Sequence, residues 1–162
     1  MSNYVESFGN QPKLAKKYGL FVNLNQIYNS FVEKNRMGGL KMNKINVAIT
    51  DDNQRTVEMM TELLEQESDS EVIASADDGE EELRIIKEKQ PDVVLLDIIM
   101  PKLDGIGVLE RLQTEDLSKR PIIIMVSAMG QENVCEEAME LGASYFILKP
   151  FDLRTIIKQS KQ

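Results

Sequence analysis

A chain of 162 residues, 42% hydrophobic and 28% charged, is long enough for one domain with a substantial core and has neither a disordered nor a fibrous composition. A single cysteine, Cys135, excludes an internal disulfide, and the absence of histidine excludes a His general base, a His-ligated zinc and a Ser/His/Asp triad. Six Lys/Arg against two Asp/Glu over residues 1–41, and thirteen against twenty-five over residues 42–162, give +4 and −12 within a total of −8, and the acidic part repels a phosphate backbone, which argues against direct nucleic-acid contact there.

Residues 1–41 are polar, with aromatics scattered at Tyr4, Phe8, Tyr18, Phe21, Tyr28 and Phe31 and no structural period. They form an N-terminal extension with two possible origins. One is a translated leader: the codons of Gly38 and Gly39 can spell a ribosome-binding GGAGG, with Leu40 and Lys41 as spacer before a true start at Met42. The other is a natural or cloning-derived extension, disordered apart from a short helix expected near Asn23 to Phe31. N-terminal sequencing of the native protein separates the two. No apolar run reaches the roughly 18 residues of a membrane span, and the N-terminus lacks the layout of a signal peptide, so a cytoplasmic, membrane-free protein is expected.

Within residues 42–162, short β-branched runs alternate with stretches of helical period, the pattern of a doubly wound α/β fold with a parallel sheet. The first strand spans Ile45 to Thr50, and a helix follows from about Asn53 to Gln66, with Val57, Met60, Leu63 and Leu64 on one stripe. Glu71 to Ser75 is the second strand. Asp78 then caps a helix that turns Leu83 and Ile86 inward, and its acidic run, Glu80 to Glu82, is expected on a solvated face. The third and fourth strands, Asp92 to Leu96 and Ile122 to Val126, contain the continuous apolar runs VVLL and IIIMV, as in strands covered on both faces. Cys135 belongs to the next helix as an inert residue, Glu136 and Glu137 to its solvated face, and Gly142 is its left-handed terminator. Tyr145 to Leu148 is the fifth strand, and Asp152 to about Gln159 a last helix.

Ligands of such sheets bind beyond the carboxyl ends of the strands. There the sequence places Asp51 and Asp52 after the first strand, Asp97 after the third, Ser127 after the fourth, and Lys149 and Pro150 after the fifth. Singly these are ordinary turn residues; jointly they form a pattern. Carboxylates about 4 Å apart repel by about 4 kcal/mol per pair at an effective dielectric of 20, so three of them call for a cation. Oxygen ligands without His or Cys favour Mg2+, which takes one or two carboxylates, several waters and a phosphate oxygen. Asp97 is the expected nucleophile, since a carboxylate attacks phosphorus without a base to deprotonate it. Lys149, the Ser127 hydroxyl and the backbone N–H groups of Ile99 and Ala128 are the candidate donors to phosphoryl oxygens. The GxG of Gly105 and Gly107 lacks a third glycine and does not follow the first strand, which argues against dinucleotide binding. Met100 and Met125 read as packing.

The motifs DD at 51–52, LLDIIMPKLDG around Asp97, VSA around Ser127 and LKPF around Lys149, at these spacings, resemble those of bacterial response-regulator receivers from about Lys44 to Gln159. The resemblance implies a flavodoxin-like sheet of order 2-1-3-4-5 and phosphoryl acceptance on Asp97 from a phosphohistidine of a histidine kinase or phosphotransferase. Mg2+ would be held directly by Asp52, Asp97 and the Ile99 carbonyl and largely through water by Asp51. It implies too that Lys149 and Ala128 contact the phosphoryl group, that Pro150 follows a cis bond, and that Ser127 and Phe146 switch together, repositioning an output surface. Two alternatives stay open at single residues: Phe146 as plain core and Ser127 as a helix cap. The blocks DIIMPKLDGIGVLERL and GASYFILKPFD look closest to receivers of stage-zero sporulation master regulators of endospore-forming bacteria, which implies a covalent DNA-binding output domain that this chain lacks and a phospho-dependent dimer as an option. Such a receiver catalyses only its own phosphorylation and dephosphorylation. A haloacid-dehalogenase-like phosphatase would want a second acid at position 99, where Ile99 stands, and an unphosphorylated docking domain would not need the acids and the lysine kept here.

Overall fold

The structure, a computed structural model, describes residues 44–65, 70–127 and 132–148. Along them run β1 (Ile45–Thr50), α1 (Gln54–Glu65), β2 (Ser70–Ala76), α2 (Gly79–Lys89), β3 (Val93–Leu96), α3 (Gly105–Thr114), β4 (Ile122–Ser127), α4 (Glu132–Glu140) and β5 (Tyr145–Leu148). All four strand pairings are parallel and the order is β2-β1-β3-β4-β5, the doubly wound arrangement expected from the sequence, with its switch point between β1 and β3. Strand limits match the sequence-based ones to within a residue, the ordinary uncertainty of element ends. The extension over residues 1–41 and the helix expected from Asp152 lie outside the described residues.

Alternation along the central strands feeds two cores. Val47 and Ile49 of β1, Leu95 of β3 and Ile124 and Val126 of β4 pack with Val57 and Met60 of α1. Ala48, Val94, Leu96, Met125 and Phe146 point the other way and pack with Ile86 of α2, Leu109 of α3 and Ala138 of α4. Covering both faces explains why VVLL and IIIMV carry no polar alternation. Each fully buried aliphatic side chain stabilises by roughly 1.5–3 kcal/mol. Met100, Met125 and Cys135 are all buried packing residues.

Local chemistry sets the helix ends. Asn53 Oδ1 accepts from the backbone N–H groups of Arg55 (3.1 Å) and Thr56 (3.3 Å), capping α1. Asp78 caps α2 by accepting from Glu81 N at 2.9 Å, and Asp104 caps α3 by accepting from Gly107 N at 2.7 Å. After α4, Gly142 adopts φ 108, the amide of Ala143 donates to Ala138 O (3.0 Å) and that of Gly142 to Met139 O (3.2 Å). That is a Schellman ending, in which the left-handed position favours glycine. One irregularity interrupts the pairing of β1 with β2: Val47 faces Val72 and Ala48 faces Ala74, so Ile73 has no partner across the ladder.

Candidate functional site

The carboxyl ends of β1 and β3 lie side by side because Thr50 pairs with Leu96. Asp51 and Asp52 follow the first and Asp97 the second. The chain is fixed on both sides of the junction: Asp97 N donates to Thr50 O at 2.9 Å and Asp51 N to Ala76 O at 3.1 Å. Asp51, 2% exposed, also accepts from Asn53 N at 2.8 Å through Oδ1. Asp97 is 6% exposed, while Asp52 lies open to solvent. One carboxylate oxygen from each of the three lies within 4.8 Å of the others.

That spacing suits a small hydrated cation. Two oxygens bound to the same Mg2+ at about 2.1 Å stand at most about 4.2 Å apart, and an oxygen reached through a ligand water stands further off. A span of 4.8 Å therefore fits a site with one or two direct carboxylates and a water-mediated third. Without a cation, each pair of ionised groups at that separation repels by roughly 3–4 kcal/mol at an effective dielectric of 20.

The loop after Asp97 is pinned to α2 and α3. Gly105 N donates to Ile98 O at 2.8 Å, and a Cβ at Gly105 would stand 2.3 Å from Asp97 O, so this close approach requires glycine. Gly79 N donates to Leu103 O at 3.0 Å. Lys102, in the left-handed region at φ 65, reaches Asp78 at 3.4 Å. The backbone hydrogen bond from Glu81, with Lys102 beside it, holds the Asp78 carboxyl below its ordinary range. Ile99, 57% exposed, is the large apolar side chain open to solvent among the described residues.

Among the other residues expected at the site, Ser127 closes β4 opposite Leu148 of β5, one residue beyond the expected end of that strand, and so sits at the same rim as Asp97. Phe146 is fully buried in the core shared with α2, α3 and α4. Ala128, Lys149 and Pro150 lie outside the described residues.

One expectation is overturned. Glu80 is exposed and Glu81 half-buried, but Glu82 is 0% exposed and accepts a hydrogen bond from the Thr50 hydroxyl, so the acidic run is not a uniformly solvated face. Burial pushes its carboxyl up to about 7, against the opposing effect of the Thr50 hydrogen bond, with the neighbouring Glu81 charge adding to the rise. The signal was available: residue 82 lies one turn before Ile85 and Ile86, on the stripe that faces the sheet.

The response regulator receiver domain family matches residues 47–161. The chain belongs to that family. Among solved structures it is similar to the receiver domain of NarL from Mycobacterium tuberculosis, at 32% identity over 72% of this chain and 93% of that one, TM-score 0.65. A structure of the CheX–CheY–BeF3–Mg2+ complex from Borrelia burgdorferi matches at 36% identity over 71% and 85%, TM-score 0.63. The response regulator domain of CheB from Thermotoga maritima matches at 30% over 73% and 89%, TM-score 0.63. Receiver domains are signalling phosphoacceptors that work with histidine kinases or phosphotransferases and bind Mg2+ at an acidic pocket. The acid cluster of this receiver lies at the carboxyl ends of β1 and β3.

Proposed function

We propose that this receiver accepts a phosphoryl group on Asp97 from a phosphohistidine on a kinase or phosphotransferase, in a reaction that requires Mg2+ held by Asp52, Asp97 and the Ile99 carbonyl, with Asp51 acting largely through water. The convergence of Asp51, Asp52 and Asp97 within 4.8 Å carries this conclusion. A carboxylate oxygen of Asp97 attacks phosphorus, the P–N bond to the donor imidazole breaks with its electron pair leaving on nitrogen, and an acyl phosphate forms on the aspartate. When bound, Mg2+ supplies charge neutralisation at the phosphoryl oxygens. Lys149, Ser127 and the Ala128 amide donate to the same oxygens.

The product adds nearly two negative charges. A charge-assisted hydrogen bond from Ser127 to them is worth about 1.5–3 kcal/mol, enough to shift a two-state equilibrium roughly tenfold or more. Phe146, buried between β5 and its neighbours, follows Ser127 in the switch, and Pro150 shapes the turn behind Lys149. The blocks DIIMPKLDGIGVLERL and GASYFILKPFD favour a sporulation-type output: a DNA-binding domain joined to residues 42–162 in a cytoplasmic regulator. Among the described residues no helix is long and apolar enough to cross a membrane.

Intact-mass measurement after incubation with a small phosphodonor and Mg2+ tests the reaction. Wild-type protein is expected to gain one phosphoryl group and Asp97→Asn none; a wild-type protein that stays unmodified refutes the proposal. Fusing the receiver to the DNA-binding domain of a sporulation regulator tests the output, which is refuted if transcription from its promoter ignores phosphorylation.

A further inference from the structure

Glu82 is a carboxyl group that phosphoryl transfer does not use, in a position where packing alone would be served better by an apolar side chain. Its neighbours on α2, Leu83, Ile85 and Ile86, are all in the core. Burying a carboxyl carries a desolvation cost that hydrogen bonding must offset. Only half of that offset is present: Oε2 accepts from the Thr50 hydroxyl, whereas Oε1 has no hydrogen-bond partner. Burial favours the neutral acid.

Thr50 is where the two halves of the acid cluster meet. It precedes Asp51 in the chain, its carbonyl receives the Asp97 amide at 2.9 Å, and it pairs with Ala76 of β2 and Leu96 of β3. Its side chain is directed to the α2 face of the sheet, the face of Ala48 two residues earlier. We propose that Glu82 is a positioning residue: by holding the Thr50 side chain from α2, it fixes the end of β1 and with it the placement of Asp51 against Asp97.

This role rests on the proposed use of the acid cluster, and its test separates the two. In metal-free protein, Asp97 amide hydrogen exchange reports the bond to Thr50 O; in a second measurement, calorimetric titration reports Mg2+ affinity. Glu82→Leu and Thr50→Val are each expected to speed Asp97 exchange and weaken Mg2+ binding by about tenfold, the worth of one buried hydrogen bond. The double variant should be no weaker than either single one. Glu82→Gln, which keeps an acceptor for the hydroxyl, should stay within about twofold of wild type in both readouts.

Unchanged Asp97 exchange in Glu82→Leu overturns the inference, as does a Glu82→Gln protein as impaired as Glu82→Leu, or effects of the two single variants that simply add. Should Glu82→Leu not fold, Thr50→Val decides alone, and wild-type exchange there overturns the role. A wild-type protein that takes up no Mg2+ refutes the proposed function instead, while the exchange rates still judge Glu82.

Discussion

Glu82 makes the stability of this domain depend on pH in an unusual direction. Its carboxyl is raised from 4.5 to about 7 in the folded protein, so between those values the folded chain holds a proton that the unfolded chain has lost. The corresponding stability is fully present below pH 4.5 and is lost as pH rises through 7, amounting to roughly 3 kcal/mol by linkage. Urea unfolding of wild type and Glu82→Gln at pH 5 and pH 8 is expected to show the variant gaining on wild type by about that much at the higher pH. Equal differences at the two pH values would mean that the buried carboxyl does not titrate. Asp78 runs the other way: held low by the Glu81 amide, it contributes stability above its unfolded value that fades on acidification.

At the level of elements, the site depends on how tightly α2 and α3 close on the loop after Asp97. A methyl group at Gly105 would meet Asp97 O at 2.3 Å, backbone that cannot swing aside. Gly105→Ala is therefore expected to cost about 1–3 kcal/mol in chemical denaturation and to lower phosphoryl uptake by Asp97 in the same intact-mass assay. Much of this was legible beforehand. The caps at Asp78 and Gly142, the strand cores and the rim positions of Asp51, Asp52 and Asp97 follow from periodicity and turn chemistry, which act over a few residues. Glu82 escaped because a run of three acids looks like solvent-facing surface, and its partner, Thr50, lies 32 residues away. Lys102 at φ 65 escaped because lysine carries no local preference for that conformation. Its surroundings come from the start of α2, where Gly79 N donates to Leu103 O and Asp78 pairs with Lys102.

For the whole molecule, the proposed Mg2+ site would trade stability for metal affinity. Three carboxylates within 4.8 Å strain the metal-free fold, and a ligand that binds only the folded state adds RT ln(1 + [L]/Kd). At one hundred times its Kd, Mg2+ is expected to add about 2.7 kcal/mol and raise Tm by roughly 10 °C. Asp52→Asn should remove most of that rise while leaving the metal-free domain more stable by about 1–2 kcal/mol, because one repelling charge is gone. Solvent around the exposed Asp52 screens its repulsion well below the unscreened pair value. Scanning calorimetry with and without Mg2+ measures both effects; a rise that survives in Asp52→Asn would place the metal elsewhere.

Among the described residues the sheet ends on one side at β2, which pairs there with β1 alone. At Ile73 the ladder to β1 skips a residue, which bends and twists that border, and Glu71 places an exposed charge near its start. A kinked, charged border is a poor template for cross-β growth. The skipped residue and the charge therefore work against recruitment of a second chain as an added strand at this border.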